Sequence, residues 1–251
     1  MERLQLETDW FSRLLPDGIP IPSSTLLSGP GGSGKPLIGN VVVASWLRAG
    51  GSVVFMSLQY PDHSFIAAGL RNVAGLELDD YAERVAFIEL DPGIDGIGEV
   101  EGHRFKANVV KPEIWDKAVG RASAMVPNNG PGRLVFISAL NLLLFSPTYG
   151  PDILQTMIKA ARDDRSHTYL MSASTSAKAE EIAKLETEVD NLIMTRSEQE
   201  PFRLFMKVER TNGVSFDPEE IEVPFESEML SDVKDIADHS RKRVIPQVMQ
   251  L

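Results

Sequence analysis

Between Ser28 and Pro36 the chain reads SGPGGSGKP, a run whose residue types are suited to holding phosphate. Gly29, Pro30, Gly31, Gly32, Ser33, Gly34 and Lys35 give the spacing G-x-x-x-x-G-K. Glycines there let successive backbone N–H groups curl around an anion, while the lysine reaches its outer oxygens. A helix starting at the loop adds the positive end of its dipole. The last residue departs from the pattern. Pro36 stands where Ser or Thr offers a hydroxyl to a magnesium ion, and it also lacks a backbone N–H. Proline is tolerated in a first helical turn. It nevertheless pushes the residue before it away from the α region, which puts the aim of Lys35 in question.

Such a loop needs a strand ending at its first glycine and a helix beginning at its last. The apolar run STLLSG, residues 24–29, supplies the strand, and Leu37 to Ala49 reads as a buried helix ended by Gly50 and Gly51. SVVFMSL, residues 52–58, is the continuous apolar strand of a sheet covered on both faces. A helix within 61–75 and a strand over 84–90 follow. The segment 91–110 holds four glycines and little helical periodicity, so a long mobile loop or a β-ribbon is expected there. PEIWDKAVGRASAMV predicts a helix, and RLVFISALNLLLF the most apolar strand of the chain. Next come a helix near 151–163, the strand TYLMSAS and the helix KAEEIAKLETE. Three further strands lie in NLIMTR, FRLFMKVER and EEIEVPF. Alternation first and crowded strands last predict an α/β fold of three layers, with a mainly parallel central sheet and antiparallel edge strands near the C-terminus. One domain over 1–225 is expected, followed by a tail or helix over 226–251.

The composition narrows the partners. A chain of 251 residues that is 43% hydrophobic can bury a substantial core. The net charge of −11 repels nucleic acid at long range, so DNA remains a partner only through a local basic patch. RKRV, residues 241–244, is the nearest to one, and a solvated tail is an equal alternative. No cysteine is present, and His63, His103, His167 and His239 are scattered. No stretch approaches the ~20 apolar residues of a membrane span, and the start lacks a signal-peptide core, so a cytoplasmic protein without membrane contact is expected.

With the loop, the strand after it and the order of elements in view, the chain resembles the KaiC-like and RadA-like branch of the RecA superfamily. The resemblance runs from about residue 5 to 225, from DWFSRLLPDGIP to FRLFMKVERTNG, and is similar to the compact single-domain archaeal members. It implies a three-layer RecA-like P-loop fold, ATP or ADP at Gly29 to Pro36, and an oligomer with nucleotide sites between subunits. It also exposes two further departures. FMSLQYPD puts Gln59, beside Tyr60, where relatives carry the acid that activates the attacking water, and glutamine cannot take a proton. LVFISALN puts Ser138 where relatives carry the acid that steadies magnesium, with no carboxylate through Asn141. Weaker matches are Ser172 or Ser174 as a phosphate sensor, Lys207 and Arg210 as a pair reaching a neighbouring subunit, and Asp190 in a structural role.

Pro36, Gln59 and Ser138 together imply a degenerate ATPase with no catalytic and no metal-binding residues. ATP or ADP would bind weakly, with magnesium in doubt, and the protein would act through protein contacts in a homo-oligomer or a RecA-like hetero-oligomer. The alternatives are an active ATPase drawing its acid from Glu89, Asp91 or a neighbouring chain, and a scaffold subunit that binds no nucleotide.

Overall fold

The computed structural model describes residues 2–60, 62–225 and 240–251. In chain order the elements are β1 (Glu2–Leu4), α1 (Asp9–Leu14), β2 (Ile19–Ile21), β3 (Ser24–Gly29), α2 (Lys35–Arg48), β4 (Ser52–Ser57) and α3 (Ser64–Ala74). A 3-10 segment (Leu78–Arg84) leads to β5 (Val85–Leu90), β6 (Ile97–Glu101), β7 (Arg104–Ala107), α4 (Pro112–Met125) and β8 (Arg133–Ile137). A second 3-10 segment (Leu140–Phe145) precedes α5 (Gly150–Asp163), β9 (Thr168–Ser174), α6 (Ala179–Glu188), β10 (Asn191–Gln199), β11 (Phe202–Arg210) and β12 (Ile221–Val223). The C-terminal turn Ser240–Val244 continues into a helix, Ile245–Val248.

Strands covered on both faces read as near-continuous apolar runs, as β4, β5 and β8 do in the middle of this sheet. Its order is β12-β11-β10-β3-β9-β8-β4-β5-β7-β6. The strands from β10 to β7 run parallel, while β11, β12 and β6 pair antiparallel. Successive residues of β4 point to opposite faces. Val53 and Phe55 join α1, α2 and α3 in one core, whereas Val54 and Met56 join α4, α5 and α6 in the other. Phe55 stacks on Phe87 at 5.1 Å and meets Phe136 edge-on at 6.1 Å. Helix α2 presses so closely on this layer that a Cβ at Gly39 would lie 2.5 Å from Phe136 Cζ. The expected three-layer α/β architecture is therefore present, with its antiparallel strands near the C-terminus.

Four local features differ from the sequence expectation or sharpen it. Residues 91–110 are not a free loop, because β6 and β7 form a ribbon that extends the sheet at its far edge. Asn108 pins its base, donating from Nδ2 to the carbonyls of Pro92 and Ile94. The run RLVFISALNLLLF is a strand only as far as Ile137. Ala139 then adopts a left-handed φ of 52°, and the leucines that follow coil into the 3-10 segment with their side chains still buried. Hydrophobicity alone does not distinguish these two conformations. A small antiparallel pair, β1 with β2, was not expected. Of the tail beyond 225, residues 226–239 lie outside the described residues, and the end of the chain is helical.

Asp190 braces the entry to β3. Its carboxylate accepts from the Ser24 N–H at 2.9 Å and from Arg165 at 2.8 Å. Replacing it with alanine leaves that strand N–H without its acceptor. Asp190→Ala is expected to cost about 1–3 kcal/mol, read as a lower denaturation midpoint at unchanged m-value. An unaltered midpoint would show that the brace carries no stability.

Candidate phosphate-binding site

The loop leaves the sheet at the carboxyl end of β3, between β9 and β10, where parallel α/β sheets open a crevice. Gly29, the last residue of β3, has φ 150°, and a Cβ there would sit 2.0 Å from the Thr195 carbonyl oxygen of β10. Gly34 caps α2 with φ 69°, and its Cβ would fall 2.3 Å from Leu204 Cδ1. Both positions demand glycine for space as well as for conformation. Between them the loop is braced from beneath. Ser33 Oγ donates to the Pro30 carbonyl at 2.8 Å and lies 2.7 Å from Thr195 Oγ1. Gly31 N–H donates to Ser176 Oγ at 2.9 Å. The backbone N–H groups of Gly32, Ser33 and Gly34 have no protein acceptor among the described residues. Consecutive unpaired N–H groups at a helix N-terminus are the donor set of an anion site, and these residues line a cleft of about 170 Å³.

Lys35 is helical, contrary to the bias that a following proline imposes. Gly34 absorbs the left-handed turn, so Lys35 begins α2 and Pro36 falls in the first turn, where its missing N–H costs no helical bond. The lysine side chain folds back beneath the loop and is 6% exposed. Nζ donates to the carbonyls of Gly29 at 2.9 Å and Pro30 at 2.6 Å, and to Ser33 Oγ at 3.0 Å. Burial pulls its pKa from 10.5 down to about 7. A bound anion would replace these acceptors and favour the charged form.

The facing wall comes from three strand ends. Gln59, after β4, lines the cleft and hydrogen-bonds Tyr60, whose hydroxyl burial pushes above its ordinary range. After β8 the Ala139 N–H donates to Ser172 Oγ at 2.9 Å, and Asn141 Oδ1 accepts from the Ser174 N–H at 2.9 Å. These bonds hold Ala139, Asn141, Ser172 and Ser174 against the cleft. Leu142, Phe145 and Ile245 make its apolar side. Among the described residues no Asp or Glu lines the cleft, and no side chains cluster to hold a metal ion. The described lining suits phosphate oxygens and offers none of the carboxylate oxygens that a hard dication prefers.

Of the residues expected at the site, Gly31 to Pro36, Gln59, Ser172 and Ser174 line the cleft. Ser138 lies behind its wall, 2% exposed, with Oγ making no hydrogen bond. Glu89 and Asp91 do not line the cleft, and Asp91 instead accepts from the Gly93 N–H. Lys207 pairs with Glu209, and Arg210 donates to the Val189 carbonyl. Sequence reasoning missed Asn141, Ser176 and Ile245 as lining residues. Asn141 carried a signal, an amide inside an apolar run, whereas Ile245 is separated from the loop by most of the chain.

A second polar constellation has a different meaning. His167 lies 2.9 Å from Ser123 Oγ through Nε2 and 2.9 Å from Asp164 through Nδ1. Burial would raise Asp164, but hydrogen bonds from Ser166, His167 and Tyr169 bring it to about 2. Ser123 sits within α4 at 5% exposure, so the network ties α4 to the start of β9 and offers no accessible nucleophile.

Solved structures with a similar fold include a KaiC-like protein from the hyperthermophilic archaeon Pyrococcus horikoshii. It is 14% identical, with a TM-score of 0.67 over 88% of this chain and 94% of that one. This is a RecA-like fold of the KaiC-like type. The flagellar accessory protein FlaH from Methanocaldococcus jannaschii shares the KaiC-like fold at 15% identity, with a TM-score of 0.64 over 89% of this chain and 94% of that one. No family model matches the sequence, and no curated protein is significantly similar to it.

The buried lysine has a consequence for stability. Between about pH 7 and 10.5 the unfolded chain keeps a proton that folded Lys35 has given up, so its contribution to stability rises with pH across that interval. In denaturant unfolding, the wild type is expected to gain on Lys35→Met between pH 7 and 10. A constant difference between the two would show that the lysine stays charged in its carbonyl cage.

Proposed function

We propose that this KaiC-like chain binds the phosphate tail of ATP or ADP at Gly29–Pro36 without a magnesium requirement and hydrolyses it negligibly or not at all. It acts through protein contacts, as a cytoplasmic subunit of a homo-oligomer or a RecA-like hetero-oligomer. The observation that supports this most directly is the lining of the cleft. Among the described residues, three N–H groups without a protein acceptor and Lys35 meet a wall with no carboxylate. Hydrolysis of a nucleotide in this setting needs a positioned water, a base and a stabilised dication. Gln59 can orient a water but not deprotonate it, and Pro36 and the buried Ser138 leave the dication without its hydroxyl and acidic support. Binding without turnover suits a subunit that senses nucleotide or is stabilised by it. An assembly role is in keeping with FlaH, which is a flagellar accessory protein.

The experiment is an ATPase assay with magnesium on the wild type, Lys35→Ala and a triple variant, Pro36→Thr, Gln59→Glu, Ser138→Asp. Wild-type turnover is expected to equal that of Lys35→Ala, with metal-dependent turnover emerging in the triple variant. Steady wild-type hydrolysis abolished by Lys35→Ala would instead establish an active ATPase that takes its acid from outside this cleft, for instance from a neighbouring chain.

A further inference from the structure

One wall residue of the cleft comes from the far end of the chain. Ile245 opens the C-terminal helix, Ile245–Val248, and lines the cleft together with Leu142 and Phe145. Its place is fixed by an anchor in the same helix. Val248 is 0% exposed, and Val244, Ile245 and Leu251 pack on the same core as the leucines of the 3-10 segment Leu140–Phe145. The helix lies directly against that segment. Ile245 itself is only partly buried and borders the open space of the cleft.

Size limits what this cleft takes up. Its volume is about 170 Å³. Pockets that enclose a whole drug-sized ligand run to ~300–1,000 Å³, and an apolar cavity of ~150 Å³ is filled by one benzene-sized guest. A phosphate group held by the N–H groups of Gly32, Ser33 and Gly34 therefore occupies much of the space, and the next group meets the remaining wall. Gln59, Asn141, Ser172 and Ser174 give that wall a polar part. Leu142, Phe145 and Ile245 offer a phosphate oxygen no hydrogen bond. A charged oxygen pressed against such a surface loses water and gains no partner.

We infer that Ile245 sets the length of phosphate chain that the cleft accepts, so that a diphosphate end, as in ADP or inorganic pyrophosphate, is taken in preference to a triphosphate. Charge alone favours the opposite order, because the longer chain brings more negative charge to Lys35 and to the dipole of α2. A preference for the shorter chain is therefore the mark of the wall. The inference rests on the phosphate-binding proposal above and names the member of that ligand class that fits.

The test is calorimetric titration with inorganic pyrophosphate and with inorganic tripolyphosphate, in EDTA, of the full chain, Ile245→Ala, Ile245→Leu and Lys35→Ala. The wild type is expected to bind pyrophosphate about tenfold more tightly than tripolyphosphate. Ile245→Ala should strengthen tripolyphosphate until the two agree within about threefold, with pyrophosphate unchanged. Such a gain of affinity cannot come from misfolding. Ile245→Leu, which conserves volume, should keep the preference. Lys35→Ala should lose both ligands. If the wild type binds tripolyphosphate as tightly as pyrophosphate, or if Ile245→Ala leaves the ratio of the two affinities as it was, the inference is overturned. The loop proposal then still stands, provided that Lys35→Ala abolishes binding. If the wild type binds neither ligand, both fall together.

Discussion

Gly29 ends the central strand against the Thr195 carbonyl with room for a hydrogen atom and nothing larger. That contact fixes where the loop begins. Thr195 also takes part above it, donating from Oγ1 to the Ser28 carbonyl at 3.2 Å and meeting Ser33 Oγ at 2.7 Å. Strand β10 therefore serves as the floor of the loop, while Ser176, just beyond β9, holds its outer edge. Between these supports the chain has little choice but to turn its N–H groups toward the cleft. The geometry is held by bonds within the protein and needs no ligand to create it. Preorganisation of that kind keeps the cost of binding an anion low.

The same rigidity makes the loop's shape independent of the wall that faces it. Glycine loop, floor and helix α2 form a packing unit, with Gly39 of α2 closed on Phe136 of β8. Gln59, Asn141, Ser172 and Ser174 stand on the facing wall. A neutral side chain at a strand end does not repel a phosphate as a carboxylate does. At this wall neutral groups instead bond one another, Ser172 with the Ala139 N–H and Asn141 with the Ser174 N–H. The result is a cleft whose shape is specified and whose described lining offers an anion a lysine and backbone dipoles.

Much of this was legible in the sequence. Continuous apolar runs such as SVVFMSL required a sheet covered on both faces, and the G-x-x-x-x-G-K spacing placed the loop at its centre. The order of helices and strands carried the KaiC-like fold even though identity to its relatives is only 14–15%. What the sequence concealed was governed by tertiary structure. LNLLLF has the hydrophobicity of a strand, and only the left-handed Ala139 turns it into a 3-10 segment. Segment 91–110 left a mobile loop and a β-ribbon both open because its strands are short and its glycines several, and pairing with β5 makes it a ribbon. The fold of Lys35 onto its own loop depends on oxygen atoms placed by Gly29, Pro30 and Ser33 together. Ile245 could not have been assigned to the cleft by any local pattern.

The central claim is that the loop holds a nucleotide's phosphates without a metal ion. Calorimetric titration of the full chain with ATP, in excess EDTA and again in excess magnesium, tests it most directly. The account predicts saturable binding abolished by Lys35→Ala, with dissociation constants in the two conditions that agree within about threefold, a difference below ~1 kcal/mol. Binding that appears only with magnesium, or is strengthened by it a hundredfold, would contradict it.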